Sequence, residues 1–469
     1  MKKIFLIVIL LASAVNIKAQ DVTGDWYGAI NVAGAKLHMI FHINKSGDIY
    51  STVMDSPDQK AKGLGTDKTT VNNNTITIEA NKFGIKYTGT YKPDSSIING
   101  TFAQGALNTP LILTHKQPEN QGNVKRLQDP TEFPYKQEEV TFPNSKAGNV
   151  LAGTLTIPSN GKVSKIVVLI TGSGPQDRNE ELQGMNHRPF LVLSDWLTRN
   201  GIAVLRYDDR GIGKSTGNFS IATTADFADD AEAAVKYIQA RPDLNKLSIG
   251  LIGHSEGGMI APIVASRNNA VKFICLLAAP GIPMIEVGLQ QQKDQLRMAG
   301  MTQEAMKAPL AIIQNVFKTI VDNPKLSSAK LKSKLDTILL RELSTYPPET
   351  FAKESKQEMA NRIASQFLSP WYRYTISLKP SDYLTKVQCP VLALNGTLDI
   401  QVESTTNLAG IKAALQTGGN QRNEVVALPG LNHLFQQAKT GSLNEYAEIE
   451  ETFNSVALEK VSTWINKLR

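Results

Sequence analysis

The apolar positions of this chain change rhythm once. From Asp21 to about His115 they alternate with polar ones in short runs, Leu37 to Ile43, Ile49 to Met54, Thr75 to Glu79 and Ile85 to Tyr91. Turn sequences at Asn44 to Gly47, Asn72 to Asn74 and Pro93 to Ser96 separate these runs, so residues 20–115 are expected to form a small antiparallel all-β domain, a barrel or sandwich. A polar segment, 116–134, follows as a linker. Beyond Tyr135 the alternation gives way to apolar runs: Ile166 to Ile170, Ile202 to Arg206, Leu247 to Ile252, Phe273 to Ala278, Val391 to Asn395 and Glu424 to Leu428. Between them lie helical patterns, such as Pro189 to Asn200, stopped by Gly201, and the face made by Phe227, Ala231, Val235 and Ile238. Strands joined in this way predict an α/β fold over 135–469, a doubly wound and mostly parallel sheet covered on both faces. An insertion at about 283–378, rich in helix formers and broken at Pro347 and Pro348, is expected to cap the strand C-termini. Its Met298, Met301, Phe317 and Trp371 are read chiefly as helix packing.

One strand-to-helix junction carries chemistry. Gly253-His254-Ser255-Glu256-Gly257 spells GxSxG directly after an apolar run, the pattern of a serine held at a strained turn with its hydroxyl exposed. Glycine is required at the flanks because side chains there would collide with neighbouring elements. The helix expected from Gly258 to Arg267 carries Pro262, which predicts an irregularity, and its free N–H groups would face an oxyanion beside Ser255. Of the six histidines only His433 lies downstream of Ser255, in a loop just past a strand-like run. Asp399, closing the strand Val391 to Asn395, is the candidate acid, with Asp382 and Glu403 as rivals that lie before the strand and in the next helix. Ser255, His433 and Asp399 in these roles make a nucleophile, a base and its orienter. The loop Thr171 to Pro175 is expected to supply one oxyanion donor, the N–H of Ser173 with Gly174 as runner-up, and Glu256 N–H the other.

These strings resemble the α/β-hydrolase superfamily, and more narrowly bacterial esterases and serine-aminopeptidase-like hydrolases. The matching segments are Gly172-Ser173-Gly174-Pro175-Gln176-Asp177-Arg178, Arg206 to Ser215, Gly253 to Gly258 and Cys389-Pro390-Val391-Leu392, and the likeness spans roughly 140 to 469. The chain departs from lipases in lacking HGGG, and has Thr171 where histidine often precedes the oxyanion glycine. The resemblance implies a serine hydrolase that cleaves carboxylic esters of small or medium acyl groups, with a peptidase or amidase as the alternative and a non-catalytic binding protein as a lesser one. It also implies a structural role for Asp208, Asp209 and Arg210. Glu256, at a helix start, is accounted for by the dipole alone.

Composition adds bounds. The 469 residues suffice for two or three folded units, and 41% hydrophobic content suits ordinary cores. Met1-Lys2-Lys3, the apolar run Ile4 to Val15 and Ala19 read as a signal peptide, 1–19, which predicts export to the periplasm or outside of a bacterial cell. The run is too short for a comfortable membrane span. The net charge of +7 includes three leader lysines and forms no concentrated stripe, so nucleic acid is not an expected partner; a small-molecule ester or a peptide is. Cys275 and Cys389 read as small buried apolar residues, no spacing suggests a metal, His38 and His42 make at best a weak pair, and no cofactor is expected.

Overall fold

The computed structural model describes residues 22–468, apart from 33–34, 60, 105–106, 118–125, 160–161, 183–184, 299 and 347–354. The expected leader, the middle of the expected linker and the Pro347-Pro348 break lie outside the described residues. The chain divides into two compact units, residues 1–30 with 37–119, and residues 31–36 with 120–469.

The first unit is all antiparallel. Its strands are β1 (Gly24–Val32), β2 (Ala35–Ser46), β3 (Ile49–Ser56), β4 (Ala61–Gly65), β5 (Lys68–Asn72), β6 (Thr75–Ala80), β7 (Ile85–Lys92), β8 (Ile97–Gln104) and β9 (Leu107–Thr114). They pair in the order β2-β1-β9-β8-β7-β6-β5-β3-β4, and an added β2–β3 pairing closes the sheet into a barrel. Alternate side chains point inward, and Trp26, Phe41, Met54, Ile76, Tyr87 and Phe102 are fully buried there. Tyr87 keeps its hydroxyl satisfied by donating to the carbonyls of Ile98 and Leu111, both at 3.2 Å.

The second unit is built on eight strands, β10 (Lys136–Asn144), β11 (Asn149–Ile157), β12 (Lys165–Ile170), β13 (Ala203–Tyr207), β14 (Ser248–His254), β15 (Val271–Leu277), β16 (Val391–Gly396) and β17 (Asn423–Leu428), in the order β10-β11-β13-β12-β14-β15-β16-β17. The pairings from β13 to β17 are parallel, and the two that involve β11 are antiparallel. The sheet helices are α1 (Pro189–Arg199), α2 (Thr224–Ala240) and α3 (Glu256–Ala265). The insertion forms α4 (Met284–Met298), α5 (Gln303–Asp322), α6 (Ser328–Leu343), α7 (Lys356–Gln366) and α8 (Pro370–Thr375), followed by α9 (Ser381–Leu384), α10 (Ser404–Thr417) and α11 (Ser455–Lys467). One apolar layer under α2, α3 and α10 includes Val168, Leu205, Leu251 and Ala393, and the opposite layer under α1 and α11 includes Val167, Val204, Ile252 and Leu394. Successive residues of each strand thus feed opposite cores, which is why these strands read as unbroken apolar runs. The insertion has its own core, with Val316, Phe317, Leu331, Leu335 and Leu339 buried in it.

The helix expected after Ser255 is kept: Pro262 sits inside α3, which continues through it for one further turn to Ala265. One detail differs from expectation. The far end of the polar segment is no free linker: Arg126 is buried and donates to the carbonyls of Met185 and Tyr446, and Gln128 donates to that of Phe453. Cys275 is buried, Cys389 is partly so, and both are free thiols.

Candidate active site

The parallel strands end at one rim, and the candidate residues sit there. Ser255 follows β14 with φ 52° and ψ −113°, a conformation that a non-glycine residue holds only where its surroundings enforce it. The flanking glycines make this turn possible. A Cβ at Gly253 would lie 1.9 Å from the Gly257 carbonyl oxygen, and one at Gly257 would lie 2.1 Å from that of Ile170.

Past β17, the loop at Gly430 turns His433 inward, where its Nδ1 stands 2.8 Å from Asp399 Oδ2. Both side chains are almost wholly buried. The other carboxylate oxygen, Oδ1, accepts the N–H groups of Gln401 and Val402 at 2.8 and 2.9 Å, which fixes the carboxylate against rotation. The two rivals are engaged elsewhere: Asp382 lies on α9, and Glu403 caps α10 by accepting from the N–H groups of Thr405 and Thr406. Ser255 and His433 line one cavity, although no hydrogen bond joins Ser255 Oγ to the imidazole among the described residues. Such bonds are often long in unliganded enzymes and tighten with substrate.

The cavity has a volume of about 450 Å³. Gly172, Ser173, His254 and Glu256 form its polar floor. Met259, Met284, Val287, Ile376 and Leu434 make its apolar wall, and the insertion closes it through Trp371 and Tyr372. The turn after β12 approaches Ser255 closely: a Cβ at Gly172 would stand 3.3 Å from that of Ser255. Among the described residues the N–H groups of Ser173 and Glu256 have no partner, so both remain able to donate.

Several neighbours were not legible as parts of the site. The carboxylate of Glu256 is 3% exposed and accepts from Trp371 Nε1 at 2.8 Å and from Thr224 Oγ1 at 2.7 Å. Burial raises its pKa above the ordinary carboxylate range, against the lowering by Thr224, Trp371 and the nearby Ser173 hydroxyl. The dipole is therefore not its whole explanation, and Trp371 does more than pack a helix. Glu180, at φ 52°, accepts from Gly172 N–H at 2.7 Å and is paired with His254 Nδ1 at 2.9 Å. Burial alone would drive the proton off His254, but the Glu180 charge and hydrogen bond outweigh it and raise the His254 pKa. Neither Glu180 nor Trp371 belongs to a spacing motif, and only the tertiary turn brings Glu180 to a histidine 74 positions later.

Asp208, Asp209 and Arg210 brace this end of the sheet. Asp208 Oδ2 meets Arg178 Nη2 at 2.8 Å, Arg210 Nε meets Asp230 at 2.6 Å, and Asp209 accepts from the Thr171 hydroxyl and the Gln176 N–H. Asp209 thereby holds both ends of the turn that contains Gly172 and Ser173. Its carboxyl is pushed well up by burial.

A mostly parallel sheet with a serine at a strained turn after its central strand defines an α/β hydrolase. The comparisons agree: the model of Hydrolase_4, described as serine aminopeptidase S33, matches residues 187–437, and the chain belongs to this family. Esterase EstD of Thermotoga maritima is 26% identical over 287 residues, covering 61% of this chain and 58% of that protein. The protein YfhR of Escherichia coli K12 is 30% identical over 125 residues, 27% of this chain and 40% of its own. The match thus spans about three-fifths or less of these relatives. Among solved structures, the Pyrococcus furiosus esterase Pf2001 has a TM-score of 0.42 at 15% identity, covering 71% of this chain and 90% of its own. Est1E of Butyrivibrio proteoclasticus, solved with ferulic acid bound, has a TM-score of 0.40 at 18% identity, covering 70% and 98%.

Proposed function

We propose that this chain is an exported serine esterase that acts on small or medium acyl groups through an acyl-enzyme on Ser255. The observation that carries the reading is the buried Asp399–His433 pair at the rim of a largely apolar cavity whose floor holds Ser255 on its strained turn. His433 Nε2 takes the Ser255 proton as Oγ attacks the acyl carbon, and Asp399 stabilises the imidazolium at Nδ1. The oxyanion is received by the N–H groups of Ser173 and Glu256. The proton then passes to the leaving alkoxide, and water, activated in the same way, releases the acid.

The family's description as a serine aminopeptidase supports amide cleavage as the second reading. Against it, the Glu256 carboxylate in the cavity floor is buried and already engaged by Trp371 and Thr224, so a peptide ammonium would have to compete with those donors for it. Turnover of p-nitrophenyl acetate and longer acyl esters is the expected result, with aminoacyl-nitroanilides cleaved slowly or not at all. Amide turnover without ester turnover would reverse the order. Ser255→Ala should abolish labelling by a fluorophosphonate probe and lower kcat by on the order of 10⁴-fold or more.

A further inference from the structure

We propose that Glu180 and a doubly protonated His254 form a positioning pair that holds two catalytic loops at once. Glu180 fixes the N–H of Gly172 beside the oxyanion turn, and His254 fixes the backbone carbonyl of His433. The inference rests on the Ser255–His433–Asp399 reading. The geometry is direct. Glu180 Oε1 accepts from Gly172 N–H at 2.7 Å and lies 2.9 Å from His254 Nδ1, while His254 Nε2 lies 2.9 Å from the His433 carbonyl oxygen.

A carbonyl only accepts, so Nε2 must carry a proton; an ionised carboxylate only accepts, so Nδ1 must carry one too. His254 is therefore an imidazolium bridging the turn after β12 and the loop after β17. The two rings lie side by side, 4.9 Å between centroids. The groups that face His254 are Glu180, the Asp399–His433 pair and, behind them, His187, a neutral ring whose pKa burial pushes down to about 3. Among these only Glu180 is free to neutralise His254, because Asp399 is committed to His433.

The segment around Glu180 is constructed for this contact. Asp177 Oδ1 accepts from the N–H groups of Asn179 and Glu181, which forms a tight turn, and Glu180 sits at its apex with positive φ. Among the described residues Glu180 Oε2 is buried without a partner, so both of the side chain's recorded bonds converge on Oε1. A purely space-filling residue needs neither the strained backbone nor the orphan oxygen, each of which costs free energy.

Deprotonation of His254 breaks one arm of the bridge, so kcat is expected to fall at alkaline pH. Glu180→Gln removes the charge that holds the proton. It should lower kcat on the order of tenfold to a hundredfold, as expected for a sub-ångström misplacement of the reacting groups, leave KM nearly unchanged, and move the alkaline decline to lower pH. A merely structural role would reduce the folded fraction without moving that limb. Ester turnover by the wild-type protein and its loss in Ser255→Ala, run in the same assay, separate the outcomes. Without wild-type turnover the site reading fails; with it, an unchanged kcat and alkaline limb in Glu180→Gln overturn this inference alone. If Glu180→Gln does not fold, ¹⁵N-histidine spectra of the wild-type protein decide. One ring is expected to stay doubly protonated at pH values where ordinary histidines, with pKa about 6.5, are neutral; no such ring would overturn the proposal.

Discussion

Glycine at position 257 sets what the nucleophile turn tolerates. Its missing side chain lets the start of α3 lie against the end of β12, where a methyl would meet the carbonyl oxygens of Ile170 and Thr171 at 2.1 and 2.7 Å. Those are backbone atoms, so no rotamer change relieves the clash. Gly257→Ala is expected to destabilise the protein by about 1–3 kcal/mol in thermal or denaturant unfolding, and to lower kcat because Ser255 moves with the turn. Residues of this kind were legible: a motif fixes Ser255 and its glycines, and elimination among six histidines leaves His433. Glu180 was not, because its function depends on a left-handed backbone position that its own letter does not encode.

At the scale of elements, the loops after β12 and β13 are locked by charge. Arg178 gives Asp208 two bonds, from Nε to Oδ1 at 2.9 Å and from Nη2 to Oδ2 at 2.8 Å, and also reaches Glu139 and Thr154. Burial would raise the Asp208 pKa, but Arg178 and two backbone N–H groups more than offset this and hold it below the ordinary value. Because the folded pKa is depressed, the associated stability is present above the unfolded carboxyl pKa of about 3.9 and is lost as pH falls through the folded one. Arg178→Met should therefore cost about 3–5 kcal/mol at neutral pH, since a buried carboxylate loses its partner. The difference from wild type should shrink below about pH 4; urea midpoints across pH measure it. The string that contains Arg178 is legible in the sequence as part of a family resemblance, and its partner in the next loop as part of a charged cluster, but nothing in the spacing joins the two.

For the whole molecule, the change from alternating to continuous apolar runs marked the change from barrel to layered sheet, because one-sided and two-sided burial leave different periods. Barrel closure was not legible: the β2–β3 hairpin is local and its turn can be read, but the pairing of β1 with β9 joins residues 87 positions apart, and β4, Ala-Lys-Gly-Leu-Gly, carries too little apolar pattern to be recognised. The proposed export makes a prediction at this scale. Protein recovered from the producing cells should begin at Gln20, as read by N-terminal sequencing, and a retained Met1 would remove the case for export. The indole of Trp371, reaching from the insertion to the carboxylate beside the nucleophile, has a practical corollary for engineering. Swapping this insertion for that of a cousin would strip a sequestered acid of one of its two donors unless the graft brings one along. Chimeras that keep an N–H at that spot should stay active where others of equal length and hydrophobicity go dead.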